Sequence, residues 1–150
     1  MHVHLRINDE SSKPEFEPVH AQSLGGRRYK IEFTPGLAYG IAAGDEIELA
    51  DDGRFEVIVR AGYVAVRVLC PHSLRSVEPS LTSLVASSLG GRLDGNIGRA
   101  LAYTIPIQSG FPGIEAVFNE FVSATADALW EYGNVYAKDG SPLGWWHSAA

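Results

Sequence analysis

The stretch YVAVRVLC, Tyr63–Cys70, decides the fold of this chain. Val64, Val66 and Val68 alternate with three other side chains, which is the period-2 pattern of a β-strand. Pro71 follows directly and ends the run. Tyr63–Cys70 is the strongest strand signal in the sequence, and the hydrophobic periodicity before this stretch differs from the periodicity after it.

The part before it, residues 1–62, reads as a series of short strands. Turn residues separate them, including an Asp-Asp-Gly turn at 51–53 whose glycine tolerates the backbone angles of a tight hairpin. A polar stretch with two prolines, residues 9–18, is predicted to be a loop. The predicted strands cover residues 2–7, 19–24, 28–33, 46–50 and 55–60. This pattern predicts a small barrel or a curled sheet.

The part from Tyr63 onward, residues 63–150, adds two helices. The first has its apolar face over residues 77–89, with Ser76 as N-cap and Gly90-Gly91 at its end. The second has apolar residues at helical spacing from Ile114 to Leu129, and Gly133 suits its C-terminal cap. Strands are expected at 92–97, 99–108 and 134–137. The order β-α-β-β-α-β is that of ferredoxin-like domains, so we predict an α+β fold whose two parts, 1–62 and 63–150, share one continuous core.

Composition limits the classes of function. The chain has 150 residues, a net charge of −6 and one cysteine. An acidic protein is repelled by phosphate backbones, so we expect no nucleic-acid partner and favour a basic protein partner. No signal peptide or membrane-spanning stretch is evident, which predicts a cytoplasmic protein without membrane contact. Oligomeric state stays open.

One long segment, residues 24–48, resembles a bacterial family, domain of unknown function 4265. A proline-aromatic bend and the run Gly-x-x-x-Gly-Asp-x-Ile-Glu, here Gly40 to Glu48, carry the resemblance. The family pattern also has a Ser-Gly turn before an Arg-Val strand, and here Ala61-Gly62 replaces the serine. The resemblance implies a fold, but no activity, because the family has none established.

The search for catalytic and metal-binding residues yields weak candidates. His2 and His4 share one face of a strand, while His20 and His72 are isolated in the sequence, so we predict no metal site. Cys70 is a candidate nucleophile beside His72, although it ends an apolar strand where cysteine usually packs as a hydrophobe. Asp94 and Asp139 are a candidate carboxylate pair, although both read as turn residues. No phosphate-binding loop or nucleophile elbow is present, and no cofactor is expected.

Two features point instead to binding. One is an acidic hairpin, and the other is a set of aromatic residues suited to anchor a partner. The predicted partner-binding residues are Tyr39, Asp45, Glu46, Glu48, Asp51, Asp52, Trp145 and Trp146.

These features favour a non-enzymatic inhibitor that binds a protein, such as an immunity protein that occludes the active site of a bacterial toxin. The alternatives are a small-molecule or regulatory binding domain and, third, an enzyme that uses Cys70 or a carboxylate pair.

Overall fold

The computed structural model describes residues 1–8 and 12–148. It contains two antiparallel sheets and two α-helices, which confirms the predicted α+β class. Neither helix is long and apolar enough to cross a bilayer.

The first sheet is a five-stranded antiparallel meander. Its strands are β1 (His2–Arg6), β2 (Phe16–Gly25), β3 (Arg28–Ile31), β4 (Glu46–Leu49) and β5 (Phe55–Val59), in the order β1-β2-β3-β4-β5. Alternation places Val3, Leu5 and Ile47 in a hydrophobic cluster beneath the sheet. Across the described residues the sheet is open, with β1 and β5 at its edges, so it is not a closed barrel.

The predicted loop over residues 9–18 is wrong at its end. Strand β2 begins at Phe16 and includes Pro18, which pairs with His4 of β1. A proline is tolerated because β3 pairs only with the later part of β2, from Ala21 onward, and needs no N–H from position 18. Asp9, Glu10 and Ser11 of the same predicted loop lie outside the described residues.

The second sheet has four strands with two helices on one face. Its elements are β6 (Tyr63–Leu69), α1 (Glu78–Leu89), β7 (Arg92–Asn96), β8 (Ala100–Pro106), α2 (Phe111–Ala124) and β9 (Leu129–Tyr132). The strand order is β7-β8-β6-β9, and each neighbouring pair is antiparallel. Val64, Val66 and Val68 of β6 pack in the cluster that the helices cover.

The second helix is shorter than its periodicity predicts. It ends at Ala124, with Thr125 in an extended conformation, and Asp127 turns the chain at a φ of 62°. Residues 129–132 therefore form the edge strand β9 along β6, and Gly133 is not a helix cap. The strand predicted at 134–137 is also wrong, because only an isolated bridge, Tyr136 with Pro142, is present there.

For α1, Gly90 caps the helix as predicted, but Val77 replaces Ser76 as N-cap.

A long connection between β3 and β4, residues 32–45, lies against the face of the second sheet that the helices leave uncovered. Each sheet has its own hydrophobic cluster, and polar contacts of this connection link the two sheets. The division at residues 62 and 63 into parts with one continuous core stays a prediction.

Candidate binding groove

A buried arginine and a glutamate hold the connecting loop from opposite sides. The carboxylate of Glu17, on β2, accepts hydrogen bonds from the backbone N–H groups of Gly36, Leu37 and Ala38 at 2.8, 3.1 and 2.8 Å. From β6, Arg67 donates to the carbonyl oxygens of Leu37, at 2.9 Å, and of Ala38. These bonds satisfy the backbone of an irregular segment that packs on a sheet.

Arg67 also organises the outer edge of that loop. Its side chain is 3% exposed, its guanidinium carbon lies 4.5 Å from the centroid of the Tyr39 ring, and Nη1 lies 3.8 Å from Glu131 Oε1. The Tyr39 hydroxyl donates to the same carboxylate oxygen at 2.7 Å. Burial lowers the pKa of Arg67 and raises the pKa of Tyr39, so the tyrosine is held neutral.

A chain of hydroxyl groups forms a second junction between the sheets. Ala43 N donates to Thr34 Oγ1 at 3.1 Å, which leaves the Thr34 hydroxyl to donate to Thr104 Oγ1 at 2.6 Å. Thr104 donates in turn to Asp94 Oδ2 at 2.6 Å, and Thr34 N reaches the same oxygen at 2.9 Å. Arg92 Nε donates to the other Asp94 oxygen at 2.8 Å. The network is closed, which is what a buried carboxylate requires.

Asp45 is a structural residue, so its placement among the surface acids of a hairpin is wrong. It is 1% exposed, and its carboxylate accepts from the N–H groups of Ala42 and Ala61 at 3.0 and 2.9 Å. Arg60 Nη1 lies 3.4 Å from Oδ2. Burial raises the pKa of Asp45, and these hydrogen bonds oppose the shift. The preceding Gly44 has a φ of 86°, and a Cβ there would lie 2.7 Å from the Cβ of Ala61.

A groove of about 900 Å³ runs between β9 and the first sheet. Its lining combines exposed or half-exposed aromatic rings with a few polar and charged groups. The lining residues are Arg6, Ile7, Asn8, Ser12, Tyr39, Phe55, Trp130, Glu131, Tyr132, Tyr136, Ala137 and Lys138. Such a combination is typical of surfaces that bind a ligand or a partner.

The remaining predicted acids lie away from the groove lining, around the β4–β5 hairpin. Glu48, Asp51 and Asp52 are exposed, while Glu46 is half-buried. Three of them pair with neighbouring cations, because Arg28, Arg27 and Arg54 lie 4.0, 3.3 and 3.2 Å from Glu48, Asp51 and Asp52, respectively. The hairpin still lies close to one end of the groove, since Arg6 N donates to Gly53 O at 2.9 Å.

The two tryptophans pack on their own domain. Both are half-buried against the core of the second sheet. Trp145 Nε1 donates to the carbonyl oxygen of Asn134 at 2.8 Å, and Trp146 packs edge-on against Phe111 at 5.1 Å between centroids. Trp145 and Trp146 therefore contact their own domain outside the groove lining, and of the predicted aromatic anchors Tyr39 is the one in that lining.

The candidate catalytic residues are engaged in local contacts. Cys70 is buried, with Sγ 3.7 Å from the carbonyl oxygen of Ala126, and His72 Nε2 lies 3.0 Å from Asp127 Oδ2. Asp94 belongs to the closed network, while Asp139 is in an exposed turn where bonds from Ser141 lower its pKa. Across residues 1–8 and 12–148, no group of three or more histidine, cysteine or acidic residues is arranged to hold a metal ion.

Sequence reasoning missed the aromatic wall of the groove. The sequence pattern predicts Trp130 and Tyr132 around a helix end and Tyr136 in a strand, whereas Trp130 and Tyr132 belong to the edge strand β9. A signal was present, because Leu129-Trp130-Glu131-Tyr132 is a short run rich in aromatic residues that also suits a strand.

The fold and the groove define a small α+β domain with a cleft between its two sheets. The chain belongs to the family Domain of unknown function (DUF4265), whose model matches residues 17–132. A solved structure, titled as the novel crystal structure of a hypothetical protein from Neisseria gonorrhoeae, is similar with a TM-score of 0.68 and 15% identity over 88% of this chain and 92% of that chain. At that identity the similarity concerns the fold alone. Among curated proteins no match is found.

The structure explains the run from Gly40 to Glu48, which carries the family resemblance in the sequence. Gly40 has a φ of 83°, and its carbonyl oxygen accepts from Arg60 Nη1 at 2.7 Å. Asp45 then ties that arginine to the loop, and Ile47 enters the core. The run from Gly40 to Glu48 therefore shapes the connection that supports Tyr39.

Proposed function

We propose that this chain acts by binding rather than by catalysis, and that its partner occupies the groove along β9. The observation that carries the proposal is the lining itself, which presents Tyr39, Trp130, Tyr132 and Tyr136 around a cleft of about 900 Å³. Tyrosine and tryptophan supply a large contact area with few rotatable bonds, which favours binding.

We further propose that the partner is a protein and that the chain is an inhibitor, such as an immunity protein that covers the active site of a toxin. Two features support a basic partner. The chain carries a net charge of −6, and the exposed acids Glu48, Asp51 and Asp52 stand near one end of the groove. Their arginine pairs are exposed, so an incoming cationic surface can replace them at little cost. In this proposal the protein is cytoplasmic and needs no nucleic acid, membrane or cofactor.

The second candidate is a small-molecule or regulatory binding domain, and the size of the groove favours it. Small-molecule sites enclose about 300–1,000 Å³ and combine apolar walls with a few polar groups. The groove falls within that range. Residues 32–45 contact the helix-free face of the second sheet, which leaves the groove at its edge as the place for a ligand.

We also propose that residues 63–132 adopt the ferredoxin-like arrangement. The element order β6-α1-β7-β8-α2-β9 and the strand order β7-β8-β6-β9 support it. In that arrangement β9 is an edge strand beside a helix-covered sheet, which is consistent with its position along the groove.

Affinity capture from a lysate of the native host tests the binding proposal. The bait is the wild-type chain, the groove variant Tyr136→Ala or the control Ile97→Ala, which removes an exposed apolar side chain outside the groove lining. We expect a protein that is captured by the wild type and the control but lost with the groove variant. Purified, it should bind one chain per molecule, and its own activity should fall when the chain is added.

The alternatives give different results. A small molecule found by native mass spectrometry, raising the melting temperature of the wild type but not of Tyr136→Ala, would favour the second candidate. A set of captured proteins that is identical for the wild type and Tyr136→Ala would contradict a groove site.

A further inference from the structure

Two histidines that are distant in the sequence lie side by side on the exposed face of the first sheet. The register of β1 with β2 pairs His2 with His20, and their ring centroids are 4.1 Å apart with an angle of 47° between the planes. Both side chains are exposed. The sequence alone does not show this pairing, because eighteen positions separate the two residues.

The pairing type explains why the rings come so close. Ala21 N donates to Met1 O at 2.9 Å, so residues 1 and 21 form a hydrogen-bonded pair. His2 and His20 occupy the next, non-hydrogen-bonded position, where the side chains of an antiparallel pair approach most closely. Phe33 packs edge-on against His20 at 5.6 Å between centroids.

We propose that His2 and His20 form a two-histidine chelate for a transition-metal cation of the Ni²⁺, Cu²⁺ or Zn²⁺ type. Imidazole nitrogen is a preferred ligand for these ions, at about 2.0–2.1 Å for Zn²⁺. Two nitrogens bound to one ion therefore lie within about 4 Å of each other, and rings at 4.1 Å satisfy this with small side-chain rotations. Water completes the coordination, consistent with the absence of a three-residue site in the described chain.

Neighbouring residues favour a cation between His2 and His20 over a cation at His4, which lies on the same strand as His2. Glu32 N donates to His20 O at 3.0 Å, so an exposed glutamate lies opposite His20, one residue after the end of β3. His4 pairs instead with Pro18, which offers no ligand. The site therefore consists of a cross-strand pair, and the His2-x-His4 spacing along β1 is not its basis.

The chelate is tested by calorimetric titration of the untagged full-length chain with NiCl₂ and with ZnCl₂. We expect one ion per chain in the micromolar range, with His2→Ala and His20→Ala each weakening binding about tenfold or more, because either change removes one arm of the chelate. His4→Ala and His72→Ala are the matched controls and should change binding less than about twofold. Circular dichroism and melting temperature verify that each variant is folded.

A second readout locates the ion directly. Added in substoichiometric amounts, Cu²⁺ should broaden the imidazole resonances of His2 and His20 before those of His4 and His72. A wild-type chain that binds neither Ni²⁺ nor Zn²⁺ in the micromolar range would overturn the inference. So would a loss of binding in His4→Ala as large as in His20→Ala, since the ion would then be held along β1.

Discussion

The guanidinium carbon of Arg67 lies 4.5 Å from the centroid of the Tyr39 ring, and both side chains meet the carboxylate of Glu131. A residue of β6 in the second sheet thus fixes a residue of the connection between β3 and β4. The same arginine donates to the carbonyl oxygens of Leu37 and Ala38, so the position of the Tyr39 ring at the groove depends on it.

Replacing Arg67 by lysine should destabilise the protein by about 1–3 kcal/mol, although the charge is retained. An ammonium group lacks the planar fork that reaches two carbonyl oxygens, and an unsatisfied buried acceptor is costly. Urea denaturation followed by circular dichroism measures the free energy of unfolding. The control is Arg28→Lys, whose guanidinium pairs with Glu48 at the surface at 4.0 Å and should contribute little. Equal effects of the two substitutions would contradict the structural role of Arg67.

Replacing Asp94 by asparagine should destabilise the protein by about 1–3 kcal/mol. One oxygen of Asp94 accepts from Thr34 N and Thr104 Oγ1, and the other accepts from Arg92 Nε. An amide group must turn its NH₂ toward one of these donors and so loses at least one bond. Thermal unfolding measures the change. Asp139→Asn, in an exposed turn, should leave the melting temperature almost unchanged. An equal fall in the melting temperature of both variants would contradict a stabilising role of the Asp94 network.

Gly133→Ala should destabilise the protein by about 1–3 kcal/mol. A Cβ at this position would lie 3.0 Å from the Cβ of Ala65 and 3.1 Å from Arg67 Nη2, which is buried and cannot move away. The same substitution at Gly113 is the control, because its Cβ would lie an ordinary 3.5 Å from Leu89 Cδ2 and the residue is in helix α2. That change should stabilise by about 0.5–1 kcal/mol. Stability curves in urea should therefore shift in opposite directions.

The stability of the protein should fall as the pH rises from about 10 to about 12, in part because of Tyr103. Burial raises the pKa of Tyr103 to about 12, above the ordinary value of 10.0, and its hydroxyl is bonded to Thr82 at 2.9 Å. In this window the unfolded chain has lost the tyrosine proton while the folded chain retains it, so the unfolded state is favoured. The shift corresponds to about 2–3 kcal/mol.

Tyr103→Phe checks this origin. At neutral pH the variant should lose about 1 kcal/mol with the hydrogen bond to Thr82. Its unfolding free energy should then fall less steeply above pH 10 than that of the wild type. Burial also raises the pKa of Tyr132, so a residual slope is expected. Parallel curves for the two proteins would show that Tyr103 does not titrate with unfolding.

The fold is predictable where one periodicity dominates. The alternation in Tyr63–Cys70 locates β6, and Gly90 ends α1 as expected. The end of α2 is ambiguous, because Leu129 continues the helical spacing and also begins a short aromatic run that suits a strand. Pairing with β6 decides for the strand, and a contact between residues 66 and 132 is not visible in local sequence.

The candidate site was only partly predictable for the same reason. Tyr39 was identified from its residue type, but the groove around it depends on β9, which was predicted as helix. Asp45 looked like a surface acid because it stands among other acids in the sequence. Its burial follows from Arg60 and two backbone N–H groups, one of them sixteen residues away. Charge runs do not distinguish a buried carboxylate from solvated neighbours.

Two of the contacts that hold residues 34–45 have a consequence for synthesis on the ribosome. The Thr34 hydroxyl bonds to the Thr104 hydroxyl, which is made seventy residues later. The Gly40 N–H donates to the carbonyl oxygen of Gly133, which is made later still. All strands of the first sheet leave the exit tunnel before either partner is made. The loop that shapes the groove is therefore expected to lack its contacts with Thr104 and Gly133 until translation is nearly complete, when only its bonds to Glu17, Arg67 and Asp45 can hold it, and the nascent chain should be more vulnerable to proteases there than the finished protein.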